Sequence, residues 1–295
     1  MFTLAQISDP HLAPLPQPQW HQLCNKRITG YINWRRNRRF VHDSGVLQTI
    51  VADLKAQQPD HIACLGDLAN IALPEEFTRG RAWLERLGKA HDVSLVAGNH
   101  DAYVRGGLEN AAREWGAYLR GDDGGTFPYL RTRGPLALIG LCTALPTPWG
   151  FATGRLGPAQ LAQLAELLVA MAHEHLFRVI LIHHPPTSQA KPHKLLQDAD
   201  ALKRVIAAHG AELILHGHDH LAMLNWLDGP SGTRVPAVGV PSASAAPGKA
   251  KNAAAYNLYR IDGTPEAWTC EMISRGLDDL GEVKESRKIV LTPVA

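Results

Sequence analysis

VSLVAGNHD, residues 93–101, is an apolar run that stops at a glycine and then presents an amide, an imidazole and a carboxylate in succession. Five apolar-leaning residues bounded by a turn former read as a short buried strand, Val93–Ala97. The same construction recurs along the chain. TLAQISDPH (3–11) ends in Asp9-Pro10-His11, and HIACLGD (61–67) ends in Gly66-Asp67. RVILIHHPP (178–186) ends in His183-His184-Pro185-Pro186, and ELILHGHDH (212–220) ends in Gly217-His218-Asp219-His220. Helical periodicity fills the intervals: Asp43–Gln57, with Val46, Ile50 and Leu54 on one side, then Pro74–Leu87, Leu108–Leu119, Pro158–Ala172 and Ala199–His209. Further strand-like pieces lie at Phe127–Thr132, Leu136–Cys142, Ala254–Ile261, Ala267–Ile273 and Lys288–Leu291. This interchange predicts an α/β fold, a sheet core covered by helices. Strands that each end in a polar loop gather those loops at the carboxyl edge of a sheet, where α/β proteins place their sites.

A chain of 295 residues with 45% apolar composition can bury a large core. One domain over residues 1–295 is expected, with a basic, aromatic insertion at 12–42 and a strand-rich extension at 253–295. The formal net charge of +2 conceals a local excess. No acidic residue occurs from His11 to His42, whereas Lys26, Arg27, Arg35, Arg36, Arg38 and Arg39 crowd there. Taking these six from the 30 basic residues leaves 24 against 28 acidic ones, so the remaining body is mildly acidic and nucleic acid is not an expected partner. Cys24, Cys64, Cys142 and Cys270 form no CxxC pair and read as free thiols of a reducing compartment. Met1–Asp9 lacks the basic start and long apolar run of a signal peptide, and no stretch is long enough to span a bilayer. A cytoplasmic location is therefore expected, with attachment to the inner face of the membrane as a variant.

The 15 histidines matter because several share short loops with aspartate. Asp9 and His11, two apart in an extended strand end, would point the same way and grip one ion. Asp67 is placed to share a carboxylate between two cations. Asn99 offers a neutral oxygen; His100 would meet a phosphoryl group or protonate a departing oxygen, oriented by Asp101. Adjacent side chains of an extended chain face opposite ways, so His183 is expected to be a ligand and His184 to pack nearby. His218 and His220 repeat the spacing of the first pair, Gly217 permits close backbone approach, and His216 reads as structural. Taken singly, each motif has an ordinary explanation as a surface turn or helix cap; five together at successive strand ends do not. Mixed carboxylate, amide and imidazole donors suit Mn, Fe or Zn better than all-oxygen Ca or Mg sites. The absence of cysteine argues against iron–sulfur or Cys-rich zinc.

These motifs, in this order over Thr3–Leu221, resemble those of the calcineurin-like metallophosphoesterases. The resemblance implies a four-layer αββα sandwich, two central mixed sheets flanked by helices. It implies one metal on Asp9, His11, Asp67 and His220 and a second on Asp67, Asn99, His183 and His218, with His100 at the phosphoryl group. No ligand of the pattern is missing.

Two cations about 3.5–4 Å apart can clamp the attacking and leaving oxygens of an in-line displacement. The expected activity is hydrolysis of a phosphodiester by hydroxide held between them. The run Lys26–Trp34 is similar to one in bacterial members that cleave the pyrophosphate of UDP-2,3-diacylglucosamine; other similar members act on cyclic nucleotides or glycerophosphodiesters. A small phosphate-containing molecule or a lipid-linked nucleotide is thus the expected substrate, and a non-catalytic metal-binding scaffold is the alternative of a different class. Trp20, Cys24, Ile28, Tyr31 and Trp34 recur at helical spacing among the arginines. That segment either lies on an anionic membrane or packs on the core with a solvated basic face.

Overall fold

The computed structural model describes residues 1–278 and 280–291. The expected C-terminal extension to residue 295 therefore runs past them. In chain order the strands are β1 (Phe2–Ile7), β2 (His61–Cys64), β3 (Val93–Leu95), β4 (Tyr129–Arg133), β5 (Leu136–Gly140), β6 (Phe177–Leu181), β7 (Leu213–His216), β8 (Met223–Asp228), β9 (Arg234–Gly239), β10 (Ala255–Thr264), β11 (Ala267–Leu277) and β12 (Val283–Val290). The helices are α1 (Arg27–Arg36), α2 (Ser44–Ala56), α3 (Pro74–Leu87), α4 (Gly107–Trp115), α5 (Gly157–His173) and α6 (Ala199–His209).

Two six-stranded mixed sheets result, ordered β12-β11-β10-β1-β2-β3 and β4-β5-β6-β7-β9-β8. The alternation of side chains along each strand builds the layers. Leu4, Ala63, Leu65 and Val96 of the first sheet meet Leu138, Val179, Leu181, Leu213 and Leu215 of the second. From the opposite faces, Ile7, Ile62, Cys64 and Leu95 pack under α2, α3 and α4 through Leu47, Ile50, Leu54, Phe77 and Trp115. Ile139, Ile180, Ile182 and Ile214 pack under α5 and α6 through Leu164, Leu168, Leu202 and Ile206. Strands apolar on both faces are what a sheet covered on both sides requires, and the expected αββα layering is present. The four cysteines are free.

Helix boundaries follow local chemistry. Asp43 caps α2, its carboxylate accepting from the amides of Gly45 at 2.7 Å and Val46 at 2.9 Å. Pro74 opens α3, and the buried Glu76 carboxylate turns back to accept from the amides of Asn70, Ile71 and Leu73. That clamp fixes the loop following Asp67.

Strands β8 and β9 lie outside the sequence expectations. β8 is an edge strand whose residues are mostly half-buried, so it lacks the apolar alternation that marks its neighbours. The insertion also differs from a continuous amphipathic helix. It breaks into a 3-10 turn at Trp20–Leu23, α1, and a second turn at Arg38–Phe40. Of the expected apolar stripe only Trp34 is buried; Trp20 is 80% exposed and Ile28 40%. Gly30 explains how α1 seats, since a Cβ there would stand 2.6 Å from Ile71 Cγ2 and 2.7 Å from the Tyr103 hydroxyl.

Candidate metal centre

β1, β2 and β3 are neighbours in the first sheet, and β6 and β7 are neighbours in the second. The loops after all five therefore open at one edge. Backbone hydrogen bonds tie them: Asp9 N to Gly66 O, His11 N to Asp67 O, and Gly217 N to His183 O, each 3.0–3.1 Å. At Gly217 a Cβ would collide with the Ser8 hydroxyl and the Asp9 carboxylate, so glycine is required for the fifth and first loops to meet.

Asp9 and His11 converge, but not through an extended chain as the spacing suggested. Asp9 (φ 51°), His11 (37°), Asp67 (57°), His218 (67°) and His220 (54°) all adopt left-handed backbone. For non-glycine residues this costs on the order of 1 kcal/mol each, and such strain persists where the surroundings over-determine it. A left-handed residue turns the chain sharply, which lets two loop residues face one point.

The hydrogen-bond pattern shows what that point accommodates. His11 Nδ1 lies 3.2 Å from the Ala69 carbonyl and His183 Nδ1 2.6 Å from that of Leu65. A carbonyl accepts only, so both rings carry their proton on Nδ1 and present the Nε2 lone pair inward. His218 is the reverse: Nε2 donates to Lys194 O at 2.9 Å, leaving the Nδ1 lone pair inward. These lone pairs face other acceptors. His183 Nε2 is 3.2 Å from Asn99 Oδ1 and 3.4 Å from Asp67 Oδ2; His218 Nδ1 is 2.8 Å from Asn99 Oδ1. Opposite them, His220 Nε2 stands 3.2 Å from both His11 Nε2 and Asp9 Oδ1. Asp67 Oδ2 looks to both groups, with His11 Nε2 3.8 Å away on the other side. Acceptors that converge in this way repel one another unless a proton or a cation stands among them, and this donor set fits divalent ions. Asp9, His11 and His220 form one such cluster and Asp9, Asp67 and His183 another; Asn99 and His218 adjoin the second.

Surrounding groups hold the carboxylates. Ser8 Oγ and the His218 amide donate to Asp9 Oδ2, which turns Oδ1 inward. The His100 amide donates to Asp67 Oδ1 at 2.7 Å, leaving Oδ2 to face the imidazoles. Burial depresses the pKa of His11 and His218, reinforced by neighbouring positive groups, so both are neutral. For His183 burial works downward, yet the Asp67 charge prevails and lifts it to about 10, so that without a cation its inward Nε2 takes up a proton in the cation's place. His184 packs beside the centre as expected, hydrogen-bonded to Thr143 Oγ1 and Ala152 O, with its ring 4.2 Å from that of His218. His216 is buried beneath the loop.

One expectation is corrected. Asp101 does not orient the His100 ring. Its carboxylate accepts from the amides of Asp67, Ala69 and Gly98 at 2.8–2.9 Å, bracing the second and third loops against each other. The backbone turn at 98–101 directs the two side chains apart. The His100 ring is held by the Asn70 carbonyl at its Nδ1 instead, while Arg38 Nη1 lies 2.7 Å from Nε2. The basic cluster divides as well. Lys26 bonds Thr147 Oγ1 and Phe151 O, Arg27 bonds the carbonyls of Ile71 and Ala72, and Arg38 turns inward, whereas Arg35, Arg36 and Arg39 remain exposed. His42 and Ser244, joined by a 2.9 Å hydrogen bond, also belong to this surround and carried no motif. The centre opens into a cleft of about 850 Å³.

Comparison with known proteins agrees with this geometry. The chain is similar to a dimetal phosphatase from Danio rerio (15% identity, TM-score 0.64), with 99% of each chain covered. It is also similar to a purple acid phosphatase from yellow lupin (Lupinus luteus) seeds, at 12% identity and TM-score 0.62, covering 98% of this chain and 53% of that one. At such identities the likeness shows the fold. A search of curated protein sequences finds no match. The family description calcineurin-like phosphoesterase matches residues 2–222, a span holding every residue of the acceptor clusters. Its members' two divalent ions fit the converging lone pairs, and the chain belongs to the calcineurin-like phosphoesterases as a metal-dependent hydrolase of phosphate esters.

Proposed function

We propose that the chain hydrolyses a phosphodiester. The observation that carries this reading is the cleft over the acceptor clusters, about 850 Å³, far more than one phosphoryl group fills. Arg38 and His42 line it from the insertion, and Lys194, Leu221, Met223 and Leu224 from the second-sheet side. Substituents on both sides of phosphorus would find walls there, one cationic and one that mixes apolar with polar side chains.

Asp9, His11, Asp67 and His220 would hold one cation, and Asp67, Asn99, His183 and His218 the other. Cations so held supply Lewis-acid activation of water and offset the charge that develops on phosphorus. The chain's own contribution is orientation. Carbonyls of Ala69, Leu65 and Lys194 fix which imidazole nitrogen faces inward, as groups behind metal ligands do. His100, anchored through Nδ1, sets the rest of its ring beside Arg38 at the cleft, where it would help position the phosphoryl group. Manganese-loaded protein should hydrolyse bis(p-nitrophenyl) phosphate with a higher kcat/KM than p-nitrophenyl phosphate. A preference for the monoester would overturn the reading.

A second reading has its own support. On α1, Ile28 and Ile32 are 40% and 43% exposed and share the outward side with Arg35, while Trp20 (80%) and Phe40 (55%) flank the helix. Apolar side chains interleaved with arginine suit an anionic bilayer surface. No helix among the described residues is long and apolar enough to cross a membrane, so such an association would be peripheral. A lipid-linked nucleotide pyrophosphate such as UDP-2,3-diacylglucosamine would then reach the cleft from the membrane. Release of UMP from it, faster than bis(p-nitrophenyl) phosphate turnover, supports this substrate; no release removes it.

A further inference from the structure

The insertion sends one cation into the cleft, and its partners are unusual for a half-buried guanidinium. Arg38 Nη1 lies 2.7 Å from His100 Nε2, and Nη2 lies 3.4 Å from His42 Nε2. The same Nη1 is also 3.1 Å from His100 Nδ1, so it rests against the imidazole ring rather than on the Nε2 lone pair, whereas His42 Nε2 can only accept from a guanidinium. His100 Nδ1 already donates to the Asn70 carbonyl, and His42 Nδ1 bonds Ser244 Oγ. The clamp is tied down on each side. Trp34 stacks on the His42 ring at an interplanar angle of 5°, and the 242–246 loop holds the segment through Asp43 N to Ser244 O and Ala246 N to Val41 O, at 2.9 and 2.8 Å.

The chemistry of the clamp is informative. A carboxylate partner would orient the guanidinium and cancel its charge together. Two neutral imidazoles orient it and leave the full charge in place. Asp67, Asp9 and Glu76 act on Arg38 through space, with no hydrogen bond to it. A guanidinium carries five N–H donors, and these contacts engage few of them. A half-buried guanidinium with no hydrogen-bonded carboxylate, set at the wall of the cleft beside the acceptor clusters, is free to receive an anion that arrives there. Arg38 lines the same cleft as Asp67, Asn99, His218 and His220. Its flat fork matches the oxygen spacing of a phosphoryl group.

We infer that Arg38 is the anion-binding residue of the site, a cation delivered by the insertion to grip non-bridging phosphoryl oxygens, with His42 and His100 as its positioning residues. This rests on the reading that a phosphate ester is the substrate. It also gives the insertion a catalytic part distinct from any surface role of Arg35, Arg36 and Arg39.

The test uses inorganic phosphate as probe on the full-length, manganese-loaded chain, with metal content measured in every sample. In Arg38→Ala, phosphate inhibition should weaken about 10- to 100-fold, the range for a lost charged hydrogen bond, while both metals remain. Arg38→Lys, which keeps charge and loses the fork, should fall between. Added guanidinium ion should partly restore Arg38→Ala and leave Arg38→Lys unchanged. Phosphate inhibition equal to wild type in Arg38→Ala would overturn the inference, as would metal loss in both variants. Should Arg38→Ala fail to fold, Arg38→Lys decides alone by the same phosphate titration. Wild type that hydrolyses no ester, yet binds phosphate through Arg38, would refute the substrate reading and leave this residue's role standing.

Discussion

Asp67 Oδ2 stands 3.4 Å from His183 Nε2, and the two are 116 residues apart in the chain. Neither can move freely, because the His100 amide holds the other Asp67 oxygen and the Leu65 carbonyl holds the other His183 nitrogen. That one oxygen also faces His11 at 3.8 Å, so it stands between the imidazoles of the two acceptor clusters, which have Asp9 in common. Asp67→Asn replaces a charged acceptor by an amide at that position. Metal content should fall below two per chain, and turnover should drop on the order of 10²-fold or more. Elemental analysis beside a diester assay checks this; wild-type metal content and turnover would contradict the shared role.

Asp101 braces three backbone amides from within the core. In Asp101→Asn one oxygen becomes a donor aimed at donors, and the fold should lose about 3 kcal/mol. Urea unfolding measures it. A variant as stable as wild type but catalytically dead would return Asp101 to the chemistry.

His100→Ala removes a ring and leaves the His100 amide on Asp67 intact. Metal content should stay at the wild-type level while kcat drops about 10²-fold, the size of effect expected when a group that positions the phosphoryl centre is lost. Loss of an ion in this variant would make His100 part of the metal site instead.

His61 sets part of the acid sensitivity of the fold. It is buried, its Nε2 meets Ser94 Oγ at 2.8 Å, and its Nδ1 has no partner. Burial, aided by Arg133 and Arg131, pushes its pKa down to about 3. The unfolded chain, with an ordinary histidine near 6.5, therefore takes up this proton first as pH falls. Above about pH 6.5 both states are neutral at His61, and between about 6.5 and 3 stability declines by about 1.4 kcal/mol per pH unit. Chemical unfolding across that window should show a shallower slope by this amount in His61→Gln. An identical slope would assign the sensitivity elsewhere.

The outward arginines can be separated from Arg38. Replacing Arg35, Arg36 and Arg39 together by serine should weaken sedimentation with phosphatidylglycerol vesicles by about 3 kcal/mol, roughly 100-fold, at about 1 kcal/mol each. Phosphatidylcholine vesicles should bind neither protein. Equal binding to anionic vesicles by wild type and variant would rule out the membrane surface as partner.

The sequence by itself determined the loops that bear chemistry and most of the strands and helices around them, β8 and β9 excepted. Val93–Leu95, His61–Cys64 and Phe177–Leu181 are apolar on both sides, and burial on both faces leaves that mark on composition. The spacing of Asp9 with His11 and of His218 with His220 was visible because close ligands are close in the chain. Tertiary structure alone decided which atoms face inward. The inward nitrogen of His183 is set by a carbonyl 118 residues away, and that of His218 by one 24 residues away. Asp101 was misassigned, and Arg38 was given no role of its own, for the same reason: a side chain's direction depends on backbone dihedrals and on partners that local pattern does not encode. Arg38 reads as one more arginine in a basic run until His42, Ser244 and His100 are brought around it from three separate segments.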